Sequence, residues 1–188
     1  MKTVVFWSIF ALVGMIVGCS KKSNESKQRT DTTAVPNAVA GIHWTVPSGW
    51  SAQPKRQMRA ATYTAPAPKE GIDAGECGVF YFGKGQGGSV EDNLNRWVMQ
   101  FEKGGKHEFG SKDVNGLKVS TVKVTGTYLA PSGPMMESQG KMPDYRLLGA
   151  IVETPQGAVF FKFTGPAQTV DANEAAFDQM VNSVAKDQ

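Results

Sequence analysis

Residues 147–152, Leu147-Leu148-Gly149-Ala150-Ile151-Val152, put no polar side chain on either face of an extended strand. Strand side chains alternate between two faces, so a run of this kind has to be covered on both sides. Thr154-Pro155-Gln156-Gly157 comes next, with Pro and Gly where a tight turn wants them. Val159, Phe161 and Phe163 then alternate with their neighbours, which predicts a hairpin over residues 147–164 with a central first strand. The rest of the chain must supply a layer for each face.

Two segments can do so. Ser89 is a good N-cap with Asp92 three residues on, and Val90, Leu94, Trp97, Val98 and Phe101 fall on one helical stripe. A helix is expected over residues 89–103, stopped by Gly104-Gly105. Near the end, Asp171 and Glu174 read as a cap, and Phe177, Met180, Val181 and Val184 as the buried stripe of a closing helix. Further strands are expected at residues 42–46, 58–65 and 77–83. Another is expected at 117–128, where the apolar phase shifts between Val119 and Val122 and suggests a bulge. Residues 66–71 and 130–145 read as loops. The fold class expected is α+β, an antiparallel sheet sandwiched by helices.

The N-terminus has a different character. Lys2 is followed by an apolar run, residues 4–17, and no charge returns until Lys21. A positive charge before a short apolar run reads as an export signal, and the run falls short of the ~20 residues that span a bilayer. It ends Ile16-Val17-Gly18-Cys19, which resembles the lipobox of bacterial lipoproteins. The resemblance implies cleavage between Gly18 and Cys19, acylation of Cys19 and attachment to a membrane. Ser20 in place of Asp implies, by the enterobacterial rule, the outer membrane facing the periplasm. Two or more acyl chains are needed for a stable anchor.

The expected organisation is a signal peptide at 1–18, a lipidated Cys19 with a tether to residue 40, and one domain at 41–188. Residues 20–40 are polar and cannot bury enough surface to order themselves. Such a tether has a reach of roughly 25 Å. Loss of residues 1–18 leaves 19 basic against 17 acidic groups, a formal charge of +2. That is too weak for a nucleic-acid partner. With Cys19 acylated, Cys77 has no disulfide partner in the chain and is expected to be a small buried hydrophobe in a strand.

Val46-Pro47-Ser48-Gly49-Trp50 before a β-rich half is similar to the opening of PsbP-like and Mog1-like domains. Phe161-Lys162-Phe163-Thr164-Gly165-Pro166, with the helix ending Phe177-Asp178-Gln179-Met180-Val181-Asn182-Ser183-Val184, resembles their close. The stretch from Gly87-Gly88-Ser89 to Arg96-Trp97-Val98-Met99-Gln100-Phe101 is similar to bacterial lipoproteins of that superfamily. The resemblance spans roughly residues 41–185. It implies an antiparallel sheet between helical layers and non-enzymatic roles, since relatives bind or stabilise other proteins. No functional residue can be carried over position by position.

Three features invite chemistry. Gly83-Lys84-Gly85-Gln86-Gly87-Gly88 contains GxGxxG between a strand and a helix, the setting of a dinucleotide fingerprint, with Glu108 at the right distance. The segment around Glu108 has no apolar run and is not expected to be a strand, and the chain beyond it reads as hairpins, so a dinucleotide site is rejected. A weaker anion site remains, in which Lys84, Gly85, Gly87, Gly88 and Ser89 would meet an anion at a helix N-terminus. Met135, Met136 and Met142 are soft ligands that could take Cu(I) or pack against a partner. His43 and His107 are too few for a histidine metal site, and no catalytic motif is present. No cofactor and no catalytic residue is expected. The leading expectation is a non-catalytic envelope lipoprotein that binds another protein through the 130–145 loop or an exposed sheet face. The alternatives are a small-ligand, anion or copper-binding lipoprotein, and an enzyme whose groups converge from distant positions.

Overall fold

The computed structural model describes residues 37–131 and 138–187. In chain order the strands are β1 (Ala38–Val39), β2 (Ile42–His43), β3 (Ser51–Ala52), β4 (Ala61–Ala65), β5 (Gly75–Tyr81), β6 (Lys106–Val114), β7 (Leu117–Pro131), β8 (Ser138–Thr154), β9 (Gly157–Pro166) and β10 (Ala185–Lys186). The helices are α1 (Val90–Val98), which precedes β6, and α2 (Ala167–Asn182), which comes after β9. Seven strands form one antiparallel sheet in the order β3-β4-β5-β9-β8-β7-β6, and β1, β2 and β10 form a small second one.

The hairpin at the centre is the one expected. β8 and β9 pair without a break from Thr154↔Gly157 to Tyr145↔Pro166, around Pro155-Gln156. Alternation then sorts the apolar side chains onto two faces. Leu148, Ala150, Val152, Val159, Phe161 and Phe163 join the α2 residues Val170, Phe177, Met180 and Val181 in one core. Leu147, Ile151 and Phe160 join Leu94, Trp97, Val98 and Phe101 of the α1 segment in the other. Each Val, Leu, Ile, Phe or Met among them contributes about 1.5–3 kcal/mol by leaving water. The fold is therefore α+β, with one helix over each face of the sheet.

The first core is fixed by directional contacts as well. The Trp44 indole N–H donates to the Tyr63 hydroxyl at 3.1 Å, and the Trp44 ring meets Phe161 edge-on at 5.2 Å. Trp50 donates to Asn173 Oδ1 at 3.0 Å, and Asn173 Nδ2 donates to the Pro66 carbonyl at 3.0 Å. These bonds tie the 44–66 segment to α2.

Several sequence expectations are corrected. The folded part starts before residue 41, because Ala38–Val39 pairs with β2 and Ala40 is buried. The strand expected at 42–46 is two residues long, since Thr45 N–H donates to Ser183 Oγ instead of a sheet partner. The segment around Glu108 is a strand after all. β6 is nearly all exposed and is held by its backbone pairing to β7 at the sheet edge, so an apolar run was never needed there. Its antiparallel pairing excludes the dinucleotide fold on firmer ground.

No bulge lies between Val119 and Val122, where the register with β8 is continuous; shifts fall at Gly126/Tyr128 and Leu129/Pro131. The apolar phase changes because Leu117 and Val119 face the α2 core while Val122 and Val124 face the α1 core. The 130–145 loop is largely strand, since β8 begins at Ser138 and Tyr128 pairs with Met142. α1 ends at Val98, short of residue 103, and Phe101 bridges to Tyr128 instead. α2 begins four residues before Asp171, so Asp171 and Glu174 are not its cap. They hold Arg146 of β8.

Candidate functional site

β9 places Lys162 between Phe161 and Phe163, whose rings enter the α2 core. Alternation therefore sends the Lys162 side chain to the opposite face. α1 ends before it covers that part of the sheet, and a cleft of about 370 Å³ opens there. The register across β5 and β9 sets Glu76 opposite Thr164 and Gly78 opposite Lys162, so Glu76, Phe80, Lys162 and Thr164 share this face. β7 and β8 add Tyr128, Met142 and Tyr145. Gly78 is required by a close approach, because a Cβ there would stand 2.8 Å from the Phe80 ring.

Hydrogen bonds fix the groups that line the cleft. Lys162 Nζ donates to Gln100 Oε1 at 2.6 Å and to the Tyr128 hydroxyl at 3.1 Å. Gln100 is held in turn, its carbonyl accepting from Leu129 N–H of β7 at 2.8 Å. Tyr128 and Tyr145 stack at 5.8 Å with 5° between their planes. Arg59 Nη1 donates to Glu76 Oε1 at 2.7 Å, and Arg56 Nη1 donates to Glu76 Oε2 at 2.7 Å. The Arg59 guanidinium also lies 5.3 Å from the centre of the Phe80 ring. One polar atom is left over: Thr164 Oγ1 is buried and has no hydrogen-bond partner. A buried hydroxyl without a partner costs about 1–3 kcal/mol, and such groups are rare enough to call for an explanation.

The electrostatics reflect this packing. Burial pushes the Lys162 ammonium down to about 8, Arg59 pushes the same way, and Glu76 opposes both. Partial burial raises the Glu76 carboxyl, but Arg59 and Arg56 outweigh it and hold it below its ordinary value. Burial, with the Glu76 charge second, pushes the Tyr128 phenol up to about 12. Two cations and one carboxylate line the cleft, an excess of one positive charge.

Among the described residues, those singled out from sequence lie outside this lining, with one exception. In the 83–89 connector, Gly83, Gly85, Gly87 and Gly88 all take positive φ, which makes the turn into α1. Ser89 Oγ accepts from Asp92 N–H at 3.0 Å and donates to Asp92 Oδ2 at 2.6 Å. The carbonyls of Gly87 and Ser89 are taken by Asn93 Nδ2. The helix start is thus occupied by its own cap, and Glu91 and Asp92 add negative charge to the first turn. Met142 is the exception, because it lies on the cleft rim and is 37% exposed. Met135, Met136, Gly18 and Cys19 lie outside the described residues.

Cys77 is fully buried in the α2 core. His43 pairs with Asp187 at 2.9 Å, and His107 Nδ1 lies 3.2 Å from the Gly104 carbonyl. Among the described residues no three His, Cys, Asp or Glu side chains are grouped to hold a metal ion, and no helix is long and apolar enough to cross a membrane. A smaller cleft of about 250 Å³ is bordered by Lys112, Lys123 and Phe177. Its lysines are taken by Asn182 and Glu174.

Lys162 carries a signal of this cleft in the sequence. A lysine inside the apolar run Val159-Phe160-Phe161-Lys162-Phe163 has to emerge on one face of a central strand. Glu76 beside Cys77 is the same signal on the neighbouring strand.

No family model matches the chain, and neither does any curated protein. Solved structures do. The solution structure of cyanobacterial PsbP (CyanoP) from Synechocystis sp. PCC 6803 aligns with a TM-score of 0.50 at 11% identity, covering 80% of this chain and 89% of that one. A Pseudomonas aeruginosa protein of unknown function aligns with a TM-score of 0.45 at 11% identity, covering 72% of this chain and 96% of its own. The fold is PsbP-like, as the opening and closing motifs implied.

Proposed function

We propose that this protein is a lipid-anchored lipoprotein of the bacterial envelope, and that its PsbP-like domain binds a partner through the cleft centred on Lys162 without transforming it. The observation that carries the binding reading is the cleft itself. Lys162 is held by Gln100 and Tyr128, and Glu76 by Arg59, while Thr164 Oγ1 waits without a partner. Fixed donors around an unsatisfied group suit recognition, since little ordering remains to be done on binding. The anchor reading rests on Ile16-Val17-Gly18-Cys19 after the apolar run, and Ser20 favours the outer membrane. The tether would then let the domain work some tens of ångströms from the bilayer.

Two measurements test the two halves. Mass spectrometry of the mature protein should show a chain that begins at an acylated Cys19. An intact N-terminus, or a free Cys19 thiol, would overturn the anchor. Cross-linking in intact cells should capture an envelope component through residues at the cleft with the native chain, and much less with Cys19→Ala. Cross-links that map only outside the cleft would overturn the binding surface.

A further inference from the structure

The chemistry of the cleft specifies its ligand more narrowly than "a partner". Lys162 Nζ has three N–H donors, and its bonds to Gln100 Oε1 and the Tyr128 hydroxyl use two. The third is left for a guest. Thr164 Oγ1, two residues along the same strand and on the same face, is a second donor, buried at the cleft lining and without a partner. Two donors suit the two oxygens of a carboxylate. The charges agree: Arg59 and Lys162 against Glu76 leave one positive charge on the lining, which a monoanion neutralises. A phosphate dianion fits less well, because Glu76 stands on the wall and the open donors are too few for its oxygens.

The walls speak to the rest of the molecule. Tyr128 and Tyr145 form a flat stacked pair beside the lysine. Flat aromatic surfaces favour offset or edge-on contact with another ring. A volume of about 370 Å³ is near the lower end of small-ligand sites, enough for one amino-acid-sized group and too small for a folded element.

We infer that the cleft is a carboxylate site, in which Lys162 and Thr164 grip one organic carboxylate and the two tyrosines receive the aromatic or apolar body attached to it. The carboxylate belongs either to a free small acid or to the C-terminal end of a peptide chain. The inference rests on the binding reading of this cleft and is independent of the anchor.

The test uses the full-length chain in a non-ionic detergent with four probes, followed by calorimetry and by NMR of the lysine Cε signals. The probes are N-acetylphenylalanine, its amide, a decapeptide ending in phenylalanine with a free carboxylate, and the same decapeptide amidated. Either acid should bind, its amide about tenfold to a hundredfold more weakly, as loss of a charge-assisted hydrogen bond predicts. Binding of N-acetylphenylalanine with rejection of the free-carboxylate peptide identifies a free small acid as the source; binding of the free-carboxylate peptide identifies a chain end. Lys162→Met, close in volume, should lose affinity by a similar factor, and Thr164→Val by less.

The bound carboxylate favours the charged amine, so the acid should raise the titration midpoint of Lys162 in the native protein. This readout does not depend on any variant folding. The groups facing that amine are Arg59 from the segment before β4, Glu76 from β5 and Tyr128 from β7. The Glu76 carboxyl is held below its ordinary value and the Tyr128 phenol is pushed up to about 12, so neither changes charge near pH 8 and the midpoint belongs to Lys162. Equal binding of acid and amide, or an unmoved Lys162 signal with both acids, overturns the carboxylate inference. In that case a cellular cross-link at the cleft would still leave the broader binding reading standing.

Discussion

Gly149→Ala is the substitution that most sharply tests how α1 sits on the sheet. Gly149 is in the middle of β8, on the face that carries Leu147 and Ile151. A Cβ there would stand 2.4 Å from both Cε3 and Cζ3 of Trp97 and 3.0 Å from Cγ1 of Val122. Real Cβ contacts are never so short, so something must move. Trp97 is only 7% exposed and belongs to a stripe held on both sides by Leu94, Val98 and Phe101. Overpacking of this kind costs about 1–3 kcal/mol. The extra methyl also restricts the unfolded chain, a gain of about 0.4–1 kcal/mol that acts in the other direction. The net expectation is a loss of about 1–2 kcal/mol. In a chain of this size that lowers Tm by roughly 2–8 °C. Urea unfolding of the full chain should show a lower midpoint with an unchanged slope. Trp97→Phe in the same background should recover at least about 0.5 kcal/mol relative to additivity. A Gly149→Ala chain as stable as the native one, or more so, would refute the placement of Trp97 against β8.

Three further outcomes rest on the same kinds of contact. Lys162 has its folded pKa lowered to about 8, so between about pH 8 and pH 10.5 the unfolded chain holds more protons than the folded one. Stability should therefore rise with pH across that window, by at most about 3.4 kcal/mol, and Lys162→Met should flatten the rise in denaturation curves taken along the pH series. Ser89→Ala removes the side-chain acceptor for Asp92 N–H and should cost about 1 kcal/mol in urea unfolding, with α1 amides exchanging hydrogen faster. Cys77 is fully buried and its thiol pushed up by burial, so a disulfide reagent should leave it unmodified in the native protein and label it only on unfolding; fast labelling under native conditions would contradict its place in the core.

The centre of this fold was legible because hydrophobic alternation determines it locally. Residues 147–164 had to be a hairpin with a covered first strand, and the stripe from Val90 to Phe101 had to lie on a face. Features that depended on distant partners were hidden. β6 has no apolar pattern because its strand state comes from pairing with β7, and the 138–145 segment is extended because β7 continues beside it. The apparent bulge in β7 had another cause: its two halves serve opposite cores. The cleft was hidden for the same reason. Arg59, Glu76, Tyr128, Tyr145 and Lys162 come from five separate segments, and only the sheet register sets them side by side. Glycine and methionine clusters, by contrast, are local and stand out in the sequence. The Gly83–Ser89 cluster proved to be a capped turn into α1, and Met142, the one described residue of the methionine cluster, lies on the cleft.

The most direct test of the binding reading puts a photo-crosslinking side chain at the cleft rim in the anchored protein. Met142→benzoylphenylalanine places it there. Met99→benzoylphenylalanine, at a position 76% exposed and not among the residues that line the cleft, serves as the comparison. On irradiation of intact cells, the Met142 position should yield a defined adduct that the Met99 position does not, and Lys162→Met should remove it. Equal labelling from both positions, or a Met142 adduct that persists without Lys162, would contradict the cleft as the binding surface.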